Sequence, residues 1–173
     1  MPTSYLSPVG KPQKKETTYS QSVSSNTNKE AATVSMLLER KGRSVVSIKP
    51  DDTISQAVSV LRDMRIGALI VTGEDGEIVG ILSERDIVRK LAETPGQTLP
   101  QSVSDNMTKS VVTCTPDDTL LSVLKRMSEG RFRHMPVVEN GTPVGMLTIG
   151  DVVNNRLAEL EHEALQLKQL IVG

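Results

Sequence analysis

Residues 80–87 read GILSERDI and residues 145–152 read GMLTIGDV. Gly80, Ser83 and Asp86 of the first phrase stand at the same offsets as Gly145, Thr148 and Asp151 of the second. A phrase written twice in one chain points to a duplication, and the flanking sequence carries it further. VVSIKPDDTISQAVSVLRDMRIGALIV (45–71) aligns without a gap on VVTCTPDDTLLSVLKRMSEGRFRHMPV (111–137), at a constant offset of 66. The offset falls to 65 only past the turn, where TGEDGEIVG is one residue longer than VENGTPVG. A turn is where a duplicated chain tolerates a change of length.

Each copy carries the same local signals in the same order. The β-branched runs VVSI and VVTC stop at Pro50 and Pro116, as a strand does before a residue that cannot donate to a ladder. The Asp-Asp-Thr triplets at 51–53 and 117–119 supply side chains that cap a helix start. Ile54, Ala57, Val58, Leu61 and Met64 then share one helical face; Leu120, Val123, Leu124 and Met127 do so in copy two, where Gly130 is placed to end the helix. ALIVT and MPVV read as strands apolar on both faces, each followed by a tight turn and a further strand. Asn140-Gly141 suits a type I′ turn, and EDGE around Gly76 a turn one residue longer. A last helix starts after Ser83 and after Thr148. The pattern predicts an α/β fold of two β-α-β-β-α repeats, 33–94 and 102–158, joined by a linker at 95–101. Neither repeat is large enough to bury its strands alone, so the two pack together with pseudo-two-fold symmetry, which duplicates any cleft between them.

Composition narrows the function. The 173 residues carry 20 Lys plus Arg against 21 Asp plus Glu, so no summed positive field is available and nucleic acid is not an expected partner. The apolar runs are five to seven residues long, far short of the roughly 20 that cross a bilayer, so no membrane is expected either. The one cysteine, Cys114, sits in the apolar run SVVTC as a small buried hydrophobe; with no apolar secretion segment at the start, the expected compartment is the cytoplasm. Residues 1–30 are rich in Ser, Thr, Lys, Gln and Pro. With no arginine, and with Glu16, they make a poor mitochondrial transit peptide and read as a disordered tail. LSERD lacks the second glycine of a nucleophile elbow, and His134 and His162 are the only histidines. No Cys/His cluster has zinc spacing and no phosphate-binding Gly-x-x-x-x-Gly-Lys loop occurs, so neither an enzyme nor a metal site is expected.

The repeated phrase supports two readings. A hydroxyl, two residues and a carboxylate ahead of an apolar helix have the form of a capping box, which contributes about 1 kcal/mol as plain helix initiation. Gly80 and Gly145 lie inside strands, where glycine is a cost, and add a reading in which a ligand approaches the backbone. There the free N–H groups of the helix start attract an anion, and the carboxylate accepts bonds from the vicinal hydroxyls of a ribose.

PDDT, IGALIV, RHMPVV and the two Gly-x-x-[Ser/Thr]-x-x-Asp phrases, in this order, resemble CBS domains. Residues 33 to about 158 resemble a tandem CBS pair, or Bateman module, of the stand-alone kind found in bacteria and plant mitochondria. The resemblance implies a regulatory, non-catalytic module that binds an adenosine compound (AMP, ADP, ATP, NAD or S-adenosylmethionine) in the clefts between repeats and acts on a partner protein that the sequence does not name. It assigns Asp86 and Asp151 to ribose hydroxyls, Ser83 and Thr148 to the ribose or a nearby phosphate, and Val46, Ile66, Val112 and Phe132 to adenine. It also implies that Arg131, Arg133 and His134 of copy two reach phosphates in the cleft of Ser83, Arg85 and Asp86, making it the tighter site; copy one has Arg65, Gly67 and Ala68 at those places. The residues by themselves leave Arg131 and Arg133 readable as solvated charges and His134 as a core histidine, although two guanidiniums beside an imidazole suit several phosphate oxygens.

From Val153 onward, Val153, Leu157, Leu160, Ala164, Leu167 and Ile171 step alternately by four and three, a short heptad seam running into a helical extension at 159–173. The seam packs either on its own module or on a second copy, and a homodimer is the expectation. The alternative function is a constitutive dimeric scaffold whose clefts are relics.

Overall fold

A computed structural model describes residues 31–172, so the expected tail at 1–30 lies outside the described residues. The elements run α1 (Val34–Lys41), β1 (Ser47–Ile48), α2 (Ile54–Met64), β2 (Ala68–Thr72), β3 (Ile78–Ser83), α3 (Glu84–Glu93), α4 (Val103–Asn106), α5 (Leu120–Gly130), β4 (His134–Glu139), β5 (Thr142–Thr148) and α6 (Ile149–Val172). The Asp-Asp-Thr triplets cap as expected. Thr53 Oγ1 accepts from the Gln56 N–H (3.2 Å) while the Gln56 side chain accepts from the Thr53 N–H (2.7 Å), and Thr119 Oγ1 accepts from the Ser122 N–H (3.2 Å). At the other end, Gly130 is the last residue of α5, and the left-handed cap falls on Arg131 at φ 56°; Arg65 caps α2 in the same way at 53°. Gly130 has a different task, because a methyl there would overlap the Phe132 ring.

The strands follow the repeat, with one difference. β1, β2 and β3 form one sheet, β1 parallel and β3 antiparallel to β2. β4 and β5 pair antiparallel through the Asn140-Gly141 turn, where both residues have positive φ as a type I′ turn requires. The expected first strand of copy two, VVTC, is reduced to one bridge between Cys114 and Val137. The cause is Pro136. In copy one Ile70 N–H donates to the Val46 carbonyl at 3.3 Å; Pro136 stands at the equivalent place in β4 and has no N–H to give. The bonds that remain tie Cys114 in, its N–H donating to Pro136 O (3.0 Å) and its carbonyl accepting from Val138 (2.8 Å). Burial there pushes the Cys114 thiol up to about 12, so it behaves as a hydrophobe.

The leading segment of each repeat docks on the other repeat. Val34 N–H donates to Asp118 O (2.9 Å), Ser35 to Pro116 O (2.8 Å), and Leu120 returns a bond to Ala32 O (2.9 Å). Val103 donates to Asp52 O (2.8 Å), Ser104 to Pro50 O (2.9 Å), and Ile54 to Gln101 O (2.9 Å), the same three bonds under the two-fold. Donors at four helix starts, those of α1, α2, α4 and α5, that have no partner within their own helix are thereby satisfied. The side chains follow the backbone. Val34, Leu37 and Leu38 enter the core of repeat two with Val123, Met135 and Leu147, while Val103 and Met107 join the core of repeat one with Ile54, Leu69 and Leu82.

This exchange changes the reading of the two strand glycines. A methyl on Gly80 would overlap the Met107 side chain and stand 3.2 Å from the Thr108 carbonyl oxygen; on Gly145 it would lie 2.8 Å from Leu38 Cδ2. What approaches the backbone closely at both glycines is the exchanged segment of the chain itself, and not a ligand. α6 is also longer than either repeat's pattern suggests: it runs unbroken for 24 residues, so the extension expected from residue 159 continues the repeat's own last helix. Val152 and Asn155 face inward, and the seam residues Val153, Leu157, Leu160, Leu167 and Ile171 are exposed.

Substitution of Gly80 tests the exchange. Gly80→Ala should destabilise by about 1–3 kcal/mol through overpacking, and the cost should shrink when Met107→Ala is added, because the two residues share one space. Urea unfolding of the single and double variants measures this, and strict additivity would disprove the contact.

Candidate functional site

α3 begins where β3 leaves the sheet. Ser83 is its N-cap: Ser83 Oγ accepts from the Asp86 N–H (3.3 Å), and Asp86 Oδ2 accepts from the Ser83 N–H (3.0 Å) and from Ser83 Oγ (2.7 Å). The capping reading of GILSERDI is therefore correct as local structure. The turn also forms one wall of a cleft of about 480 Å³, within the range of small-molecule sites.

The opposite wall belongs to repeat two. After α4 the chain bridges back to β3, Ile81 and Thr108 exchanging backbone bonds of 3.0 and 2.9 Å, and this carries Ser110 and Val112 into the cleft. The left-handed turn at Arg131 brings Phe132, Arg133 and His134 in from the other side. Arg85 reaches across the gap, its Nη1 donating to the Arg131 carbonyl at 3.3 Å. Gly67 leaves room for the His134 ring, which a methyl there would meet at 3.1 Å. Arg85, Arg89, Arg131 and Arg133 outnumber Glu84 and Asp86 along the lining, and α3 presents its N-terminus to the same space. That combination attracts an anion.

Eight of the twelve residues singled out from the sequence thus line one cleft: Ser83, Arg85, Asp86, Arg131, Arg133, His134, Val112 and Phe132. Val46 and Ile66 do not; they pack against the core of repeat one. Thr148 and Asp151 repeat the capping geometry at the start of α6, with Thr148 Oγ1 accepting from the Asp151 N–H (3.1 Å) and Asp151 Oδ2 from the Thr148 N–H (3.0 Å). Here the carboxylate has a further partner. Lys41 Nζ, at the end of α1, donates to Asp151 Oδ2 and to the Met146 carbonyl (2.8 Å). Partial burial disfavours the Asp151 charge, but the bonds from Lys41 and Thr148 more than offset it and hold the carboxyl below its usual range. Sequence reasoning missed Lys41, Ser110 and Arg89. Of these only Arg89 had a local signal, one helical turn beyond Arg85.

With this geometry established, the known relatives can be placed. The family model of the CBS domain matches residues 41–93 and 102–158. The chain belongs to the CBS-domain family. A mitochondrial CBS domain-containing protein of Arabidopsis thaliana is 33% identical over 152 residues, 83% of this chain and 74% of that one; of longer Arabidopsis CBS domain-containing proteins the chain spans about a quarter. The crystal structure of a CBS-domain containing protein from Agrobacterium tumefaciens is similar at 46% identity and a TM-score of 0.70, covering 72% of this chain and 99% of that one. A CBS domain protein from Pyrobaculum aerophilum complexed with AMP is similar at 30% identity and a TM-score of 0.62, covering 69% of this chain and 88% of that one. Among the described residues of this CBS pair, no helix is long and apolar enough to cross a membrane.

His134 gives the cleft a pH signature. Burial pushes its imidazole below the ordinary value of 6.5; Glu84 and Asp151 pull it up, and Lys41 and Arg133 push it further down. Above pH 6.5 the folded and unfolded chains are both neutral at this residue. Below it the unfolded chain takes up the proton more readily, so stability is lost as pH falls from 6.5 towards the folded value. Urea unfolding between pH 8 and pH 5 should show a loss that is smaller in His134→Gln, and equal losses would refute this account.

Proposed function

We propose that this CBS pair is a regulatory module that binds one adenine nucleotide in the cleft between the Ser83–Asp86 turn and the Arg131–His134 loop, and conveys its occupancy to a partner protein. The observation that carries the reading is the meeting, in one cleft, of a carboxylate at a helix start with a guanidinium and imidazole wall from the other repeat. Asp86 accepts from the ribose hydroxyls, Val112 and Phe132 flank the base, and Arg133, His134 and Arg85 with the α3 N-terminus receive phosphate oxygens. AMP is the first ligand to test, since a 30% identical CBS domain protein is complexed with it; ADP, ATP and NAD share the adenosine that the cleft is read to hold. CBS domains act as regulatory modules and not as catalysts, and the chemistry required of these residues is recognition alone.

Calorimetric titration of AMP decides it. Asp86→Asn leaves an acceptor for the Ser83 N–H while removing the charge, and should weaken AMP by about 1.5–3 kcal/mol, roughly tenfold or more. AMP, ADP, ATP and NAD can be ranked by thermal shift, since a ligand at 100 times its Kd stabilises by about 2.7 kcal/mol. Equal binding by the variant, or no shift with any of the four, would defeat the nucleotide reading in favour of a constitutive scaffold.

A homodimer through α6 belongs to the same proposal. Its support is the exposed seam of Val153, Leu157, Leu160, Leu167 and Ile171 on an unbroken helix. Sedimentation of the chain truncated after Leu157 should show a loss of self-association relative to the full chain, and an unchanged dimer would exclude the seam.

A further inference from the structure

The two repeats offer the same helix-start carboxylate, but they leave it in different states. Asp86 faces the open cleft with Ser110 on its lining. In the twin, α1 docks by Val34 and Leu38 much as Val103 and Met107 dock on repeat one, but its last residue, Lys41, donates to Asp151 and to the Met146 carbonyl. Counted from the matching residues Val34 and Val103, Lys41 and Ser110 are equivalent, each seven positions on. At this count the chain ahead of repeat two carries a hydroxyl and the chain ahead of repeat one an ammonium, and the ammonium takes the carboxylate that a ribose would use.

We infer that Thr148 and Asp151 form a latent nucleoside site held shut by Lys41. The inference rests on the reading of Asp86 as a ribose acceptor. The ligand it would take is an uncharged adenine nucleoside, because Gly67 and Ala68 stand at the places of Arg133 and His134 and leave Arg65, at the place of Arg131, as the one cation of that loop. The closure is reversible in design. The Lys41 and Asp151 side chains are 32% and 28% exposed, so water and salt screen the pair. Immediately after Lys41, Gly42 leaves the helix at φ 97°, a conformation open to glycine that lets the end of α1 turn away without strain in a side-chain-bearing residue.

Residue-resolved NMR titration with adenosine tests this in the full chain. In the wild type, adenosine should leave the Thr148, Gly150 and Asp151 amides without a saturable shift. Lys41→Met should give them one, at an affinity at least tenfold above any residual wild-type response; Lys41→Arg, which keeps the cation, should stay closed, and Asp151→Asn added to Lys41→Met should abolish the new response. A saturable wild-type shift at these amides, or none in Lys41→Met, overturns the inference. The Ser83, Arg85 and Asp86 amides report the first cleft in the same spectra, so silence there counts against the proposed nucleotide function while the amides of the second site still judge Lys41.

Discussion

Val34 and Val103 are each fully buried in the repeat that does not follow them, and six backbone bonds, three on each side of the two-fold, hold them there. Neither repeat has a complete core without the other's leading segment. The exchange explains why two small units behave as one body, and it also decides where the cleft lies. The strand-like stretch after α4 can run along β3 and deliver Ser110 and Val112 beside Asp86 only because Val103 is anchored in repeat one. The same anchoring at Val34 delivers Lys41 to Asp151.

Symmetry of the backbone and asymmetry of the side chains are thus consequences of one arrangement. The sites share a capping box, a strand glycine filled from the exchanged segment and a left-handed arginine after the preceding helix. They differ in the residues that the duplication left free to drift: Ser110 against Lys41, Arg133 and His134 against Gly67 and Ala68, Phe132 against Ile66. Coulomb energy between groups this close outweighs the backbone likeness, so Asp86 faces a cleft lined by arginines while Asp151 is paired with Lys41. Arg133 links the two, since its carbonyl accepts from the Ile149 N–H at the start of α6 (2.9 Å) while its residue lines the first cleft.

Much of this was legible in the chain. The gapless 66-residue offset, the Asp-Asp-Thr caps and the Asn140-Gly141 turn are local signals, and local chemistry settled them. What escaped was long-range. Apolar pattern says that Val34 and Val103 are buried but not in which repeat, although Thr33-Val34-Ser35 and Ser102-Val103-Ser104 repeat the same pattern before each copy and carry the hint. Gly80 and Gly145 were rightly read as places of close approach, yet a protein side chain meets that need as well as a ligand does. The weak strand before Pro116 turned on Pro136, a residue inside a run that otherwise reads as uniformly apolar strand. Lys41 carried no local signal, and only folding brings it against Asp151, 110 residues away in sequence.

α6 begins at a capped turn and runs on as a rod. Asp151 lies in its first turn, and the same unbroken helix ends at Val172 with Leu170 and Ile171 facing solvent. At about 1.5 Å per residue, its 24 residues make a lever roughly 36 Å long. A tilt of about 5° at its base sweeps the tip through about 3 Å, a displacement comparable to a helix shift at an allosteric interface. The base of that rod is the turn at which Lys41 and Asp151 meet.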